Sequence, residues 1–344
     1  MSKKTVKLGS IELGADKIYI QSMLNVSAND IIGSLTQASA LEKAGCDIVR
    51  AAIPTLDDVR LIPAIKSEVS VPLVADIHFD HRIALAAVEA GVDKIRINPG
   101  NIGSADKVKA VADACRAHGV PIRIGVNSGS LEKELLQKYG SPTAEALVES
   151  AERHIELLNR FDFDDIVVSI KSSDVRLMIA AYRLFAEKYD YPLHLGVTEA
   201  GTERMGMLKS AVGIGSLLCD GIGDTIRVSL TADPIREISA AKDILKACGI
   251  GGGVEIVSCP TCGRTKIDLI GLAQQVEDMC RNIDKNIKIA VMGCAVNGPG
   301  EAREADLGIA GGDGESLIFK KGEILRKVPK NMLLAELMKE IELL

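Results

Sequence analysis

The sequence predicts an α/β protein: a (β/α)8 barrel over residues 1–248 followed by a small α/β unit over residues 249–344. Three observations carry this reading. From residue 18 onward a short β-branched run, a polar tip, a helical segment and a glycine recur in that order. The stretch Ala44-Gly45-Cys46-Asp47-Ile48-Val49-Arg50 is echoed by Ala90-Gly91-Val92-Asp93-Lys94-Ile95-Arg96, with Ala, Gly, Asp and Arg in step. After a last helix comes Gly249-Ile250-Gly251-Gly252-Gly253, a linker by composition.

The expected strands are Ile18 to Ser22, Ile48 to Ala51, Leu73 to Asp76, Lys94 to Asn98, Ile122 to Gly125, Ile166 to Ile170, Leu193 to Val197 and Thr225 to Leu230. Strands alternating with helices make parallel βαβ units, and eight of them close into a barrel. An open doubly wound sheet is the alternative, but no Gly-x-Gly-x-x-Gly follows the first strand. Gly45, Gly91 and Gly119 sit where a helix ends in a left-handed residue before the chain turns into a strand. Between Val126 and Asp165 an extra helical piece is expected near Leu131 to Lys138. A longer helix then runs from about Thr143 to Phe161, with Ser141 as N-cap and Pro142 in the first turn. Asp233-Pro234 opens the helix that ends near Cys248. In the second unit, Val254 to Val257, Ile287 to Met292 and the pair Leu317 to Phe319 and Ile324 to Val328 read as strands, and a terminal amphipathic helix runs from about Asn331 to Leu344.

Composition excludes several classes of function. The net charge is −6 and tryptophan is absent, so a basic, aromatic nucleic-acid surface is not expected. No apolar run approaches the roughly 18 residues of a membrane span, and the polar stretch Met1 to Ser10 carries no export signal. Eight cysteines in such a chain read as thiols and ligands rather than disulfides, which points to the cytoplasm.

Five strands carry a cation in or at the end of an apolar run: Arg50, Arg96, Arg123, Lys171 and Arg227. Flanking Ile and Val must face the helices, so alternation turns each charge toward the barrel mouth. Asp76 and Glu199 are available as partners, but five converging cations in an acidic protein are simplest to explain by an anionic ligand, for which guanidinium groups favour phosphate. Gln21, His78, Asn98, Asn127, His194, Thr198 and Ser229 complete the expected rim. His78 and His81 raise a metal site as a weaker alternative. Glu199 is the best-placed proton donor, provided burial raises its pKa.

The second unit is organised around Cys259-Pro260-Thr261-Cys262-Gly263-Arg264 and Met292 to Glu301. A Cys-x-x-Cys turn suits zinc, an iron–sulfur cluster or a dithiol couple. Cys294 supplies a third sulfur in a glycine-rich loop. Cys280, on the intervening helix beside Val276 and Met279, reads as a core thiol. No histidine follows His194, which leaves Glu301 as the fourth ligand to test. A hard oxygen on a soft cluster is exchangeable and would leave one metal open to a substrate oxygen, whereas a zinc knuckle with one water remains the alternative on spacing.

These two motifs, with Asn297-Gly298-Pro299-Gly300-Glu301 closing the second, resemble the 4-hydroxy-3-methylbut-2-enyl diphosphate synthases of the methylerythritol phosphate route to isoprenoids, over nearly the whole chain. The resemblance implies a [4Fe–4S] cluster on Cys259, Cys262, Cys294 and Glu301. It implies reductive ring opening and dehydration of 2-C-methyl-D-erythritol 2,4-cyclodiphosphate. Arg50, Arg96, Arg123, Lys171, Arg227 and Ser229 would hold the diphosphate, Asn127 and Glu199 would face the reacting carbons, and Asn297 would lie between cluster and substrate. Electrons would come from flavodoxin or ferredoxin. The plant-type version carries a further domain between the two; the short path from the eighth strand to the linker matches the two-domain bacterial form.

Chain length adds an expectation. The helix after Pro234, about 15 residues long, runs some 22 Å away from the barrel mouth, and five linker residues span at most about 17 Å. A head-to-tail homodimer, each cluster capping the partner's barrel, follows. The competing functions are a non-catalytic phosphate-ligand binder with a zinc-stabilised tail and a non-redox iron–sulfur hydro-lyase.

Overall fold

The computed structural model describes residues 4–281, 283, 285–295, 300, 302–312 and 314–344. The chain divides into two compact units, Met1–Cys248 and Gly249–Leu344. No helix among the described residues is long and apolar enough to cross a membrane.

The first unit opens with a hairpin that the polar reading of the N-terminus missed. Strands β1 (Val6–Leu8) and β2 (Ile11–Leu13) pair antiparallel around Gly9-Ser10, and Gly9 takes φ +55 as a two-residue turn requires. Val6, Leu8 and Leu13 are buried against Ile48, Val74 and Val167, residues at the start of three barrel strands. The hairpin is thus an apolar plug in the N-terminal end of the barrel. Its signal was legible as Val-x-Leu and Ile-x-Leu alternation across a Gly-Ser turn.

The barrel strands are β3 (Tyr19–Met23), β4 (Ile48–Ala52), β5 (Leu73–Asp76), β6 (Lys94–Ile97), β7 (Ile122–Asn127), β8 (Ile166–Lys171), β9 (His194–Leu195) and β10 (Thr225–Ile226). All pair in parallel in the order β8-β7-β6-β5-β4-β3-β10-β9, and a bridge from Val168 to Leu193 joins the two ends. The last two strands are shorter than expected. Regular pairing stops after Leu195 and Ile226, although Arg227 N–H still donates to the Leu195 carbonyl at 3.0 Å. Gly45, Gly91 and Gly119 all have the expected positive φ. The long helix spans Ala144–Asn159 and is capped by Thr143, whose hydroxyl accepts from Ala146 N–H at 3.2 Å, not by Ser141. The helix starts two residues later than that cap requires, so Pro142 precedes it rather than occupying its first turn.

The second unit is a five-stranded sheet in sequence order: β11 (Val254–Ser258), β12 (Ile287–Met292), β13 (Leu307–Ala310), β14 (Glu315–Lys320) and β15 (Glu323–Pro329). The first three are parallel and the rest antiparallel. Strand β13 was not foreseen. Its four residues are too short to show a period, and Gly308 is there because the Phe319 ring of β14 occupies the space of a side chain. Helices Leu269–Cys280 and Leu333–Glu342 cover the sheet, and Cys280 is buried in this core.

Because the plug fills the barrel base, Leu13→Ala leaves a cavity that its neighbours cannot close. We expect a loss of about 2–4 kcal/mol of stability, read as a lower urea midpoint for the first unit.

Candidate active site

The interior of the barrel changes character along its axis. At the base, the inward residues Tyr19, Ile48, Val74 and Val167 meet the plug. Two residues further along each strand the same face carries Gln21, Arg50, Asp76 and Ser169, while Lys94 and Arg96 share the inward face of β6. Arg50 (8% exposed), Arg96 (7%), Arg123 (1%) and Lys171 (8%) are buried, and Arg227 and Ser229 are half-buried. Two glycines make room for them. A Cβ on Gly125 would lie 2.5 Å from Arg96 Nε, and one on Gly196 would lie 2.7 Å from Lys171 Nζ.

Counter-charge is scarce. Asp76 accepts from Arg50 Nη2 at 2.5 Å and Arg96 Nη1 at 3.2 Å, and lies 3.3 Å from His78 Nε2. Burial pushes the Asp76 carboxyl up, but Arg50, His78 and Arg96 outweigh it and hold the group well below the usual carboxylate range. Glu237 lies 3.4 Å from Arg227 Nε and accepts from Ser22 Oγ at 3.0 Å and Leu230 N–H at 3.1 Å. Burial, and then repulsion among the cations, lowers the Arg50 pKa to about 10 and pushes Arg123 and Lys171 well below their ordinary values.

Lys94 was missed. A lysine opening a strand reads as a solvated end, yet this one is fully buried, and its pKa is driven well below that of an ordinary lysine by burial and then by Arg123 and Arg50. The i, i+2 spacing to Arg96 was the available signal. Gln21 and His194 lie in the barrel interior rather than at the rim, at 1% and 0% exposure. His194 Nδ1 is 2.8 Å from the Thr225 hydroxyl. His78 is exposed and pairs with Asp76, while His81 lies 3.6 Å from Asp80, so neither histidine joins a metal cluster among the described residues. Asn127, at the end of β7, is half-buried. Glu199 has φ +50 and is exposed, so in the single chain it lacks the burial on which its role as proton donor was conditioned.

In the second unit the register pairs Ser258 with Val291, so the loops after β11 and β12 leave the same end of adjacent parallel strands. They carry Cys259 and Cys262 on one side and Cys294 on the other. Gly293 N–H donates to Cys259 Sγ at 3.2 Å, and Lys266 N–H donates to the Gly293 carbonyl at 2.9 Å. Glycine at 293 eases this approach: a Cβ would lie 3.0 Å from Thr265 Oγ1 and 3.2 Å from Leu269 Cδ2, tighter than an ordinary contact. The Arg264 backbone and guanidinium hold the Cys262 thiol below its ordinary pKa. By contrast, burial raises the barrel thiols Cys46 and Cys115 to about 12. Cys259 and Cys294 are half-buried and Cys262 is exposed. Asn297 and Glu301 lie outside the described residues. Among the described residues no three His, Cys, Asp or Glu side chains stand close enough to share one metal ion. Three soft sulfurs at adjacent strand ends, one receiving an N–H bond, fit the wider footprint of an iron–sulfur cluster, where such bonds tune the potential.

Comparison with known proteins decides the family. Residues 3–242 match the GcpE TIM-barrel domain and residues 255–343 the GcpE protein C-terminal domain. The chain belongs to the GcpE family. A relative from Clostridium perfringens, 4-hydroxy-3-methylbut-2-en-1-yl diphosphate synthase (flavodoxin), is 59% identical over 341 residues, covering 98% of both chains. Relatives of the same name from Fusobacterium nucleatum and Geobacillus thermodenitrificans are 58% and 55% identical, covering 98% of this chain and 96% and 91% of theirs. GcpE enzymes are iron–sulfur oxidoreductases, which favours the cluster over the zinc knuckle for the three thiols. Among solved structures, dihydropteroate synthases from Coxiella burnetii (TM-score 0.52, 13% identity) and Yersinia pestis (0.51, 14%) each cover 72% of this chain and 99% and 100% of their own. That likeness is one of barrel fold alone.

Asp76 is the counter-ion on which the Arg50–Arg96 pair depends. Its folded pKa is depressed, so its contribution is complete above the unfolded value near 4 and is lost as pH falls through the folded value. Asp76→Ala should destabilise the barrel by about 3–5 kcal/mol near neutral pH, because two cations are then buried without a counter-charge. Inorganic diphosphate should restore part of that loss in urea titrations.

Proposed function

We infer that this chain catalyses reductive ring opening and dehydration of 2-C-methyl-D-erythritol 2,4-cyclodiphosphate to 4-hydroxy-3-methylbut-2-enyl diphosphate. The observation that carries the reading is a buried cation cluster in large excess over its carboxylates, on the same chain as a three-thiol strand-end motif. Full-length identity of 59% to a synthase of that name supports it.

Breaking a ring carbon–oxygen bond releases a phosphoryl oxygen as an anion. Arg50, Arg96, Arg123, Lys171 and Arg227, with the Ser229 hydroxyl, hold both phosphoryl groups and stabilise the charge that develops there. The same contacts keep the opened chain in register for loss of its hydroxyl. A [4Fe–4S] group held by Cys259, Cys262, Cys294 and Glu301 would supply low-potential electrons and an open coordination position when bound. Asn127, at the end of β7, orients the carbon skeleton, and Asn297, four residues before Glu301 in sequence, would act between cluster and substrate. Glu199 donates the proton to the departing hydroxyl. Its exposure in the single chain means that something must cover it first.

That cover, in this reading, is a second copy. The helix Pro234–Ala247 ends where Lys242 Nζ donates to the Ala44 carbonyl at 2.7 Å and Cys248 Sγ lies 3.8 Å from the Gly215 carbonyl, at the C-terminal ends of neighbouring helices. The linker therefore starts at the plugged end of the barrel, and its five residues reach at most about 17 Å. A head-to-tail homodimer brings one chain's second unit to the other's cations. Flavodoxin, or a ferredoxin of similar potential, is the electron donor. Eight cysteines, none of them in a disulfide, suit the reducing cytoplasm.

Anaerobic turnover with reduced flavodoxin tests the function. Arg123→Ala should lower kcat/KM by about a hundredfold or more. Turnover without any reductant would instead indicate a hydro-lyase. Cys262→Ser should lose most of its iron and sulfide in metal analysis, and zinc without sulfide in the wild type would point to the non-catalytic binder.

A further inference from the structure

Deeper in the barrel interior than the more exposed Arg96, Lys171 and Arg227 lie buried polar atoms without partners. Lys94 Nζ, Arg123 Nε and Nη1, Arg50 Nε, His194 Nε2 and both amide atoms of Gln21 make no hydrogen bond to any described residue. The strands place them together. Lys94 pairs in register with Val74 of the plug layer and so lies beside it on the neighbouring strand. Arg123 pairs with Arg96 on the neighbouring strand, and Gln21 lies two residues above Tyr19 on the inward face of β3. With Nδ1 engaged by Thr225, Nε2 is the His194 ring nitrogen left for the interior. Unpaired buried donors carry a heavy desolvation penalty, and native cores contain few of them. Waters could satisfy their hydrogen bonds but would leave the mutual repulsion of the cations in place.

We propose that Lys94, with Arg123, His194 and Gln21, forms a deep subsite that takes one phosphoryl group of the substrate as a dianion, beneath the rim that holds the other. The proposal rests on the diphosphate reading above and adds a binding residue to it. The charged groups around Lys94 are Arg123 on β7 and Arg50 on β4, with Asp76 on β5 already committed to Arg50 and Arg96. His194, on β9, feels Arg123, Lys171, Lys94 and Arg50, and burial with these charges keeps its ring neutral. No carboxylate hydrogen-bonds Lys94 among the described residues, and its depressed pKa gives it a weak hold on its proton. An arriving dianion restores that hold, so binding draws a proton from solvent.

Calorimetric titration of the anaerobically purified holoenzyme tests this, with inorganic diphosphate and the cyclic diphosphate each added in buffers of differing ionisation enthalpy. Wild type should take up protons on binding at a pH below the lysine reference value. Lys94→Met should bind both ligands about tenfold or more weakly, since a charged hydrogen bond is lost. It should also lose Lys94's share of proton uptake, and unfold at higher urea than wild type when no anion is added. A merely structural lysine would not combine greater stability with weaker binding. Binding within about twofold of wild type with unchanged uptake overturns the subsite, as does a Lys94→Met chain that fails to fold, because the ligand-free barrel must gain from losing a buried amine without partners. The function reading fails separately: inorganic diphosphate would still depend on Lys94 while the cyclic diphosphate is neither bound nor reduced.

Discussion

Six cations in one barrel interior, hydrogen-bonded there to only two carboxylates among the described residues, set the terms for the first unit. A charge removed from water must be paid for by partners, and Asp76 and Glu237 reach only Arg50, Arg96 and Arg227. Lys94, Arg123 and Lys171 are left without carboxylate partners, and burial, then repulsion among the cations, lowers their pKa values. Such an interior persists only because the surrounding Ile, Val, Leu and Ala core between strands and helices is large and continuous, and because the hairpin closes the base with side chains rather than water. Stability is given up at the centre of the barrel and recovered around it, as binding sites generally require.

The second unit meets a different demand with the same means. Sulfur ligands need little charge compensation from the protein but close backbone approach, and the glycine at 293 provides it where the barrel uses glycines at 125 and 196 to admit a guanidinium and an ammonium. One unit therefore gathers cations and the other thiols. Joined on one chain, they suit a reaction in which an anionic leaving group and a pair of electrons must be managed together.

The barrel was legible because eight repeats each declared a strand, a helix and a stop, and because cations among β-branched residues cannot face the helices. Arg50, Arg96, Arg123 and Lys171 were found this way, and all are buried. What escaped were features with short or ambiguous signals: the hairpin, strand β13, and Lys94, whose place at a strand start looks solvated until the neighbouring strands bury it. Thr143 displaced Ser141 as the cap because the helix starts two residues later, at Ala144, which leaves Pro142 outside its first turn.

The sequence by itself determined the fold class, the inward-facing cations and the sulfur motif, because each depends on periodicity or on residue types at fixed spacing. Only the tertiary structure decided which charges are compensated. Pairing Arg50 and Arg96 with Asp76, and Arg227 with Glu237 ten residues away on a helix, depends on strand register and side-chain reach. So does the isolation of Lys94 and Arg123 in the barrel interior. Burial and distance are properties of the assembled barrel, and no linear pattern encodes them.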